Sequence, residues 1–381
     1  MQKSIASALI LLGALCAPAL AEISDEAVAR YNAAAQANDV PALLTAAEVL
    51  AGEAVASPDD RDAALLAFEA AWALCRNGEC EAALAAAEFA ASQPDTSAHP
   101  SLADRELLKA FAHWQVRKRR STRADLDTAL STRVEGERTL LSVAAFQRRY
   151  LDDAKQGRSG RLPKSAGEAA AHFYPVRDQI GDVWAQAAIL AVATEFGTDH
   201  TPATLLKMAR VEAEILLIRH VTDDEPDWME RRYLEATAWR NAMDAYLRSE
   251  NKGADEREFV EEILDDAITD DNHQHPVGTG PHIKDDPLLC RGNFTRMPRP
   301  TYPDDAAWSG YIGAVIVLFD VDEDGAKNVR IGASVPTDIF DDAALASVRR
   351  LKWEWEGSTR DGESCLQQRD SVQWPFYFVL E

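Results

Sequence analysis

The sequence predicts an α+β protein of more than one domain: an N-terminal all-α region of helical hairpins, then a small antiparallel ββαβ sheet domain. Three observations carry this. Over residues 22–268 apolar side chains recur three and four positions apart, the period of an amphipathic helix. After Cys290 the period changes, and Val315, Val317, Phe319 and Val321 alternate along one run as in a strand. Between the two, residues 269–289 hold Gly, Pro, Asp and His with no period, which is the composition of a linker. At 381 residues the chain also exceeds what one core usually fills.

Residues 1–21 read as an export signal. Lys3 gives a positive start, Ile5 to Leu15 is an apolar run, and Ala19-Leu20-Ala21 supplies small residues ahead of a cut before Glu22. An uncleaved membrane anchor is the alternative, although the run is short against the ~20 residues of a spanning helix. Cys16 admits a lipoprotein reading, against which Leu15 is bulky where such sites hold a small residue. The formal net charge is −23, and loss of Lys3 takes it to −24. Charge of this sign repels nucleic acid and anionic membranes. No nucleic-acid partner is therefore expected, and membrane contact is expected only through an uncleaved N-terminal segment.

Cys75, Cys80, Cys290 and Cys365 follow the cut. An even number in an exported chain points to disulfides, with three pairings open. Cys75 and Cys80 flank Arg76-Asn77-Gly78-Glu79, which reads as the turn of a helical hairpin, so these two are expected to pair. Cys290 and Cys365 share the C-terminal domain and are expected to pair there. Free buried thiols are the alternative, and neither pair has a zinc-type spacing partner.

The helical region resolves into segments at Asp25 to Ala37, Pro41 to Val55, Arg61 to Cys75, Glu79 to Gln93, Leu102 to Arg117, Leu140 to Ala154, Asp182 to Phe196, Pro202 to Arg219 and Trp228 to Arg248. Short connections favour antiparallel neighbours. The stretch from Ala67 to Pro94 resembles a tetratricopeptide unit. Trp72 and Leu74 lie in its first helix, Gly78 at the turn, and Ala83 and Ala90 in the second, small residues that let two helices approach. Leu108 to Leu130 reads as a looser second copy. No third follows at a spacing of about 34 residues, so an irregular solenoid and a non-repeat bundle both stand. Arg158 to Gly167 reads as a loop. His273, His275 and His282 offer transition-metal ligands, but a linker does not preorganise them and no cofactor is expected.

In the C-terminal domain, Ile316 and Leu318 face away from the Val315 set, so that strand is buried on both sides. A hairpin turn at Asp322 to Gly325 leads to a second strand, with Val329, Ile331 and Ala333 on one face. A helix is expected next, with Phe340, Ala344, Val348, Leu351 and Trp355 as its stripe and Asp338, Asp341 and Asp342 at its start. The last strand carries Val372, Trp374, Phe376, Phe378 and Leu380 on one face. Pro375 within it marks an edge strand, because a central strand would lose a ladder bond.

Tyr302-Pro303, Ala306, Gly310, Gly313, the alternating strand, Asp324-Gly325, Phe340-Asp341, Ala343-Ala344, Val348, Trp353 and the aromatic last strand together resemble the TonB C-terminal domain family. The resemblance runs from about Pro298 to Leu380. It implies a periplasmic location and pairing with a short segment of outer-membrane TonB-dependent receptors by strand addition at the last strand. The implied partner-binding residues are Ser371, Val372, Gln373, Trp374, Phe376, Tyr377, Phe378 and Val379. Trp374, Phe376 and Phe378 are expected in the core, leaving the strand backbone and outward Gln373 and Tyr377 to a partner. Two features depart from the family pattern. Trp353-Glu354-Trp355-Glu356 lacks the usual Pro, and the apolar start has no ionisable residue for a proton-driven motor. Docking without force transmission is therefore expected. The sequence holds no Gly-rich phosphate loop and no Gly-x-Ser-x-Gly elbow, so no enzymatic activity is expected. A periplasmic interaction scaffold is the alternative function, and an enzyme with a site in the helical groove a more distant one.

Overall fold

The computed structural model describes residues 22–94, 100–219, 227–269, 290, 292–296, 298–322, 324–355, 367 and 369–380. The export segment, the linker histidines and Cys365 lie outside the described residues. The chain divides into two compact units, Met1–Ala145 and Phe146–Glu381.

In the first unit, α1 (Asp25–Gln36), α2 (Val40–Ala56), α3 (Ala63–Arg76), α4 (Cys80–Ser92), α5 (Leu102–Arg117) and α6 (Arg120–Ser131) pack on their sequence neighbours. Three of the starts are fixed by side-chain caps: Ser24, Asp39 and Ser101 accept the N–H of Ala27, Ala42 and Asp104. Alanine brings the helices close. Ala47, Ala54, Ala67, Ala70, Ala71, Ala83 and Ala90 are fully buried. The tetratricopeptide-like stretch forms the α3–α4 hairpin. Gly78 makes its turn at φ +98°, and the expected Cys75–Cys80 disulfide closes it. Buried Arg105 of α5 donates to the carbonyls of Ala90 and Gln93 at 2.8 and 2.9 Å, satisfying the C-terminal end of α4.

Next come α7 (Leu140–Lys155), α8 (Leu162–Phe173), α9 (Gly181–Asp199), α10 (Pro202–Arg219), α11 (Asp227–Ser249) and α12 (Ala254–Thr269). The stretch read as a loop from Arg158 to Gly167 is helix from Leu162 onward. Pro163 falls in the first turn of α8, where the missing N–H has no helical acceptor to lose.

The C-terminal domain adds β1 (Gly292–Arg296), α13 (Asp304–Ser309), β2 (Gly313–Asp322), β3 (Gly325–Val335), α14 (Asp341–Val348), β4 (Lys352–Trp355) and β5 (Arg369–Phe378). The main sheet is antiparallel, in the order β3-β2-β5. The β2–β3 hairpin turns where expected, with Asp322 opposite Gly325 at φ +115°. Against α14 lie Val315, Val317, Phe319, Val321, Val372, Phe376 and Phe378, all buried, with Phe340, Ala344 and Val348.

Two local expectations are corrected. The helix ends at Val348, and Trp355 belongs to a strand instead of the helical stripe. Lys352 and Glu354 are exposed while Trp353 and Trp355 are half-buried, the period-two pattern of β4, which pairs antiparallel with β1. Five residues with Gly, Asn and Thr gave β1 no alternation to read. The second correction is at Ala333. A bulge sets Ile316 opposite Ala333 and Val317 opposite Ile331, so the extra residue Gly332 resets the alternation and Ala333 packs on the other face.

That other face is also covered. Ala314, Ile316, Leu318 and Val335 pack against Leu234, Ala238 and Ala242 of α11. The sheet is thus a middle layer between α14 and α11.

Candidate functional site

β5 is an edge strand. Its residues 369–378 pair only with β2 among the described strands, in a register that sets Phe378 opposite Gly313, Phe376 opposite Val315 and Pro375 opposite Ile316. The opposite side of its backbone has no described strand beside it. Pro375 therefore sits where the sequence reading places it, at the margin of the sheet.

Alternation divides the β5 side chains. Val372, Phe376 and Phe378 are buried on the α14 face and Trp374 is half-buried there. Phe378 stacks on Phe340 with ring centroids 4.3 Å apart. Trp374 meets Phe294 of β1 edge-on at 4.9 Å, and Phe294 meets Trp353 of β4 at 4.5 Å. The β1–β4 ribbon thus braces the aromatic end of this core. Ser371 lies in the strand, and Val379 follows it half-buried.

Tyr377 and Gln373 point to the α11 side with different results. Tyr377 is 50 % exposed, whereas Gln373 is 6 % exposed and its Nε2 has no hydrogen-bond partner among the described residues. Gln373 is therefore buried and not outward. The reason is α11, whose presence over this face the sequence reading did not include. A signal existed in the Ala-rich pattern of α11, where Ala236, Ala238 and Ala242 are all buried, more than a helix with one covered face requires.

α11 is fixed by an ion pair between half-buried Arg240 and a buried carboxylate. Glu212 of α10, 1 % exposed, accepts from Arg240 Nε at 2.6 Å and from Thr237 Oγ1 at 2.7 Å. Burial works against the charge on Arg240, but Glu212 outweighs it and holds the guanidinium above its ordinary pKa. Tyr377 lies in the same field. Burial pushes its hydroxyl above the ordinary value, with Arg240 and Arg248 opposing and Asp244 adding. The β5 edge and the charged side of α11 thus form one surface within the second unit.

Cys290 is buried and disulfide-bonded; its expected partner Cys365 lies outside the described residues. No group of three or more His, Cys, Asp or Glu placed to hold a metal occurs among the described residues. None of the described helices is long and apolar enough to cross a membrane, and Ile5 to Leu15 falls outside them. The first unit contains a cavity of about 360 Å³ lined by Leu65, Phe68, Glu69, Trp72, Arg76 and Leu141, among others.

The chain falls in the class of proteins with a helical region joined to a small antiparallel-sheet domain. Residues 298–380 match the family model of the Gram-negative bacterial TonB protein C-terminal. Domains of that family mediate protein–protein interaction with outer-membrane proteins. No curated protein and no solved structure matches the chain.

Proposed function

We propose that this protein is an exported, periplasmic, non-catalytic binding protein whose C-terminal sheet domain takes up extended partner segments by strand addition at β5, in connection with TonB-dependent outer-membrane transport. The observation that carries the reading is the position of β5 at the sheet margin within the segment that matches the family. An unpaired strand edge offers backbone donors and acceptors to an extended peptide, and the half-exposed Tyr377 is placed to meet its side chains. The partner segment belongs to an outer-membrane receptor, as the family resemblance implies. With Val372, Phe376 and Phe378 committed to the core, recognition falls on the backbone and on the α11 side of the edge.

A photo-crosslinking residue in place of Tyr377 tests this in cells. Crosslinks to outer-membrane transporters support the reading, crosslinks only to soluble periplasmic proteins support a scaffold, and no crosslinks at all overturn strand addition. The protein is further proposed to dock without transmitting force. Loss of energy-dependent uptake on deletion of the gene, restored by an anchored but not by a cleaved form, contradicts that.

A further inference from the structure

A basic run stands out within this acidic chain. Residues 115–124 read Gln-Val-Arg-Lys-Arg-Arg-Ser-Thr-Arg-Ala, five cations and no carboxylate in a protein of net charge −23. Lys118 and Arg119 form the turn between α5 and α6, Arg117 and Arg120 are the adjoining helix ends, and all four are exposed. Arg123 is turned inward and paired with Asp127 at 3.0 Å. Lys118 Nζ sits 3.4 Å from the centroid of the Trp114 ring. Arg117, Arg119 and Arg120 have no ion-pair partner among the described residues.

This placement works against the fold. Arg119 is the N-cap of α6, where helices favour Ser, Asn or Asp because the side chain must accept, and a guanidinium only donates. Arg119 and Arg120 also stand at the positive end of the α6 dipole. Lys118 adopts a left-handed φ of +36°, a conformation usually given to Gly or Asn at a helix end. The Trp114 ring takes up Lys118 and Thr122 Oγ1 accepts the Arg119 N–H, but neither contact uses the charges of Arg117, Arg119 and Arg120.

We infer that the α5–α6 turn is an electrostatic docking site for an anionic phospholipid surface. Net charge governs long-range attraction, but at physiological ionic strength fields decay over a Debye length of about 8 Å. Within that range the local sign decides. α5 has 16 residues and is about 24 Å long, so a hairpin meeting a plane end-on keeps its far end several Debye lengths away. A nucleic acid or an acidic protein groove would reach around the turn and bring into range Glu106, which lies about 16 Å back along α5 from Arg117. A flat anionic surface avoids this and fits the cluster of four cations.

Co-sedimentation of the full chain with vesicles of pure phosphatidylglycerol or pure phosphatidylcholine tests the inference. The expected result is strong binding to phosphatidylglycerol at low salt, little to phosphatidylcholine, and loss of binding at about 0.5 M salt. Each basic residue contributes about fivefold. Replacing all four with R117Q, K118Q, R119Q and R120Q should therefore weaken binding by about two to three orders of magnitude. R119S alone should weaken binding about fivefold while raising the melting temperature, because Ser restores a capping acceptor. Equal binding to both vesicles, salt-insensitive binding, or unchanged binding by the quadruple variant overturns the inference. So does tighter binding to a duplex oligonucleotide than to phosphatidylglycerol at matched phosphate. These results do not depend on the β5 edge.

Discussion

At Gly313 a Cβ would stand 2.3 Å from the carbonyl oxygen of Val335 and 2.4 Å from the Phe340 ring. Gly313→Ala should therefore destabilise the second unit by about 1–3 kcal/mol, read as a lower denaturant midpoint at unchanged slope. An unchanged midpoint would mean that this end of the sheet yields. Glu212 makes a different kind of contribution. Glu212→Leu strands the Arg240 guanidinium and should cost about 3–5 kcal/mol, whereas adding Arg240→Leu should recover most of it, since a buried pair gives little net stability over apolar replacements. A cycle in which the two losses simply add would refute the pairing. In the first unit, burial raises the Glu69 carboxyl pKa, with Arg76 opposing. The folded state then holds that proton more tightly than the unfolded chain. Its contribution is greatest below the unfolded pKa and is lost as pH rises through the raised folded value. Glu69→Gln should flatten this part of the stability–pH profile, and a profile steeper than wild type would contradict the sign.

The helix–turn–helix of α3 and α4 is closed by its own disulfide. For so short a loop the entropic gain is about 2 kcal/mol, so the double variant Cys75→Ser, Cys80→Ser should melt a few degrees lower while keeping its helical circular dichroism. A collapse of helicity would show that alanine packing alone does not hold the hairpin. β5 is constrained on both faces: Phe376 and Phe378 are clamped from the α14 side, and Gln373 is covered from the α11 side. Among the β5 side chains whose burial is described, Tyr377 is the exposed one, and it stands beside the outer backbone edge. That arrangement favours recognition by main-chain hydrogen bonds, which specify an extended shape more than a sequence.

Because α11 lies on the sheet, the C-terminal domain does not end where the linker begins. Removing residues 290–381 would bare Leu234, Ala238 and Ala242, and isolating those residues would bare Ala314, Ile316 and Leu318. Either truncation should aggregate or bind a hydrophobic dye, while a piece spanning residues 146–381 should be monodisperse in size-exclusion chromatography. A well-behaved domain of residues 290–381 would show that the α11 face adds little. Partner searches are for this reason better made with point changes at Tyr377 than with deletions.

Local signals in the sequence determined the helical hairpins, the β2–β3 turn at Gly325, the Cys75–Cys80 bridge, the edge character signalled by Pro375 and the inward aromatic face of β5. Each of these rests on neighbours a few residues apart, or on a backbone rule that holds wherever the residue sits. Tertiary structure alone decided three others: the bulge at Gly332 that turned Ala333 over, the strand made of Lys352–Trp355, and the cover of α11 on Gln373. β4 exists because β1, more than fifty residues earlier, supplies its hydrogen-bonding partner. Gln373 is buried because a helix more than a hundred residues upstream packs small side chains on its face. Local patterns say which face of an element is apolar, but which element covers it depends on long-range packing that no window of sequence contains.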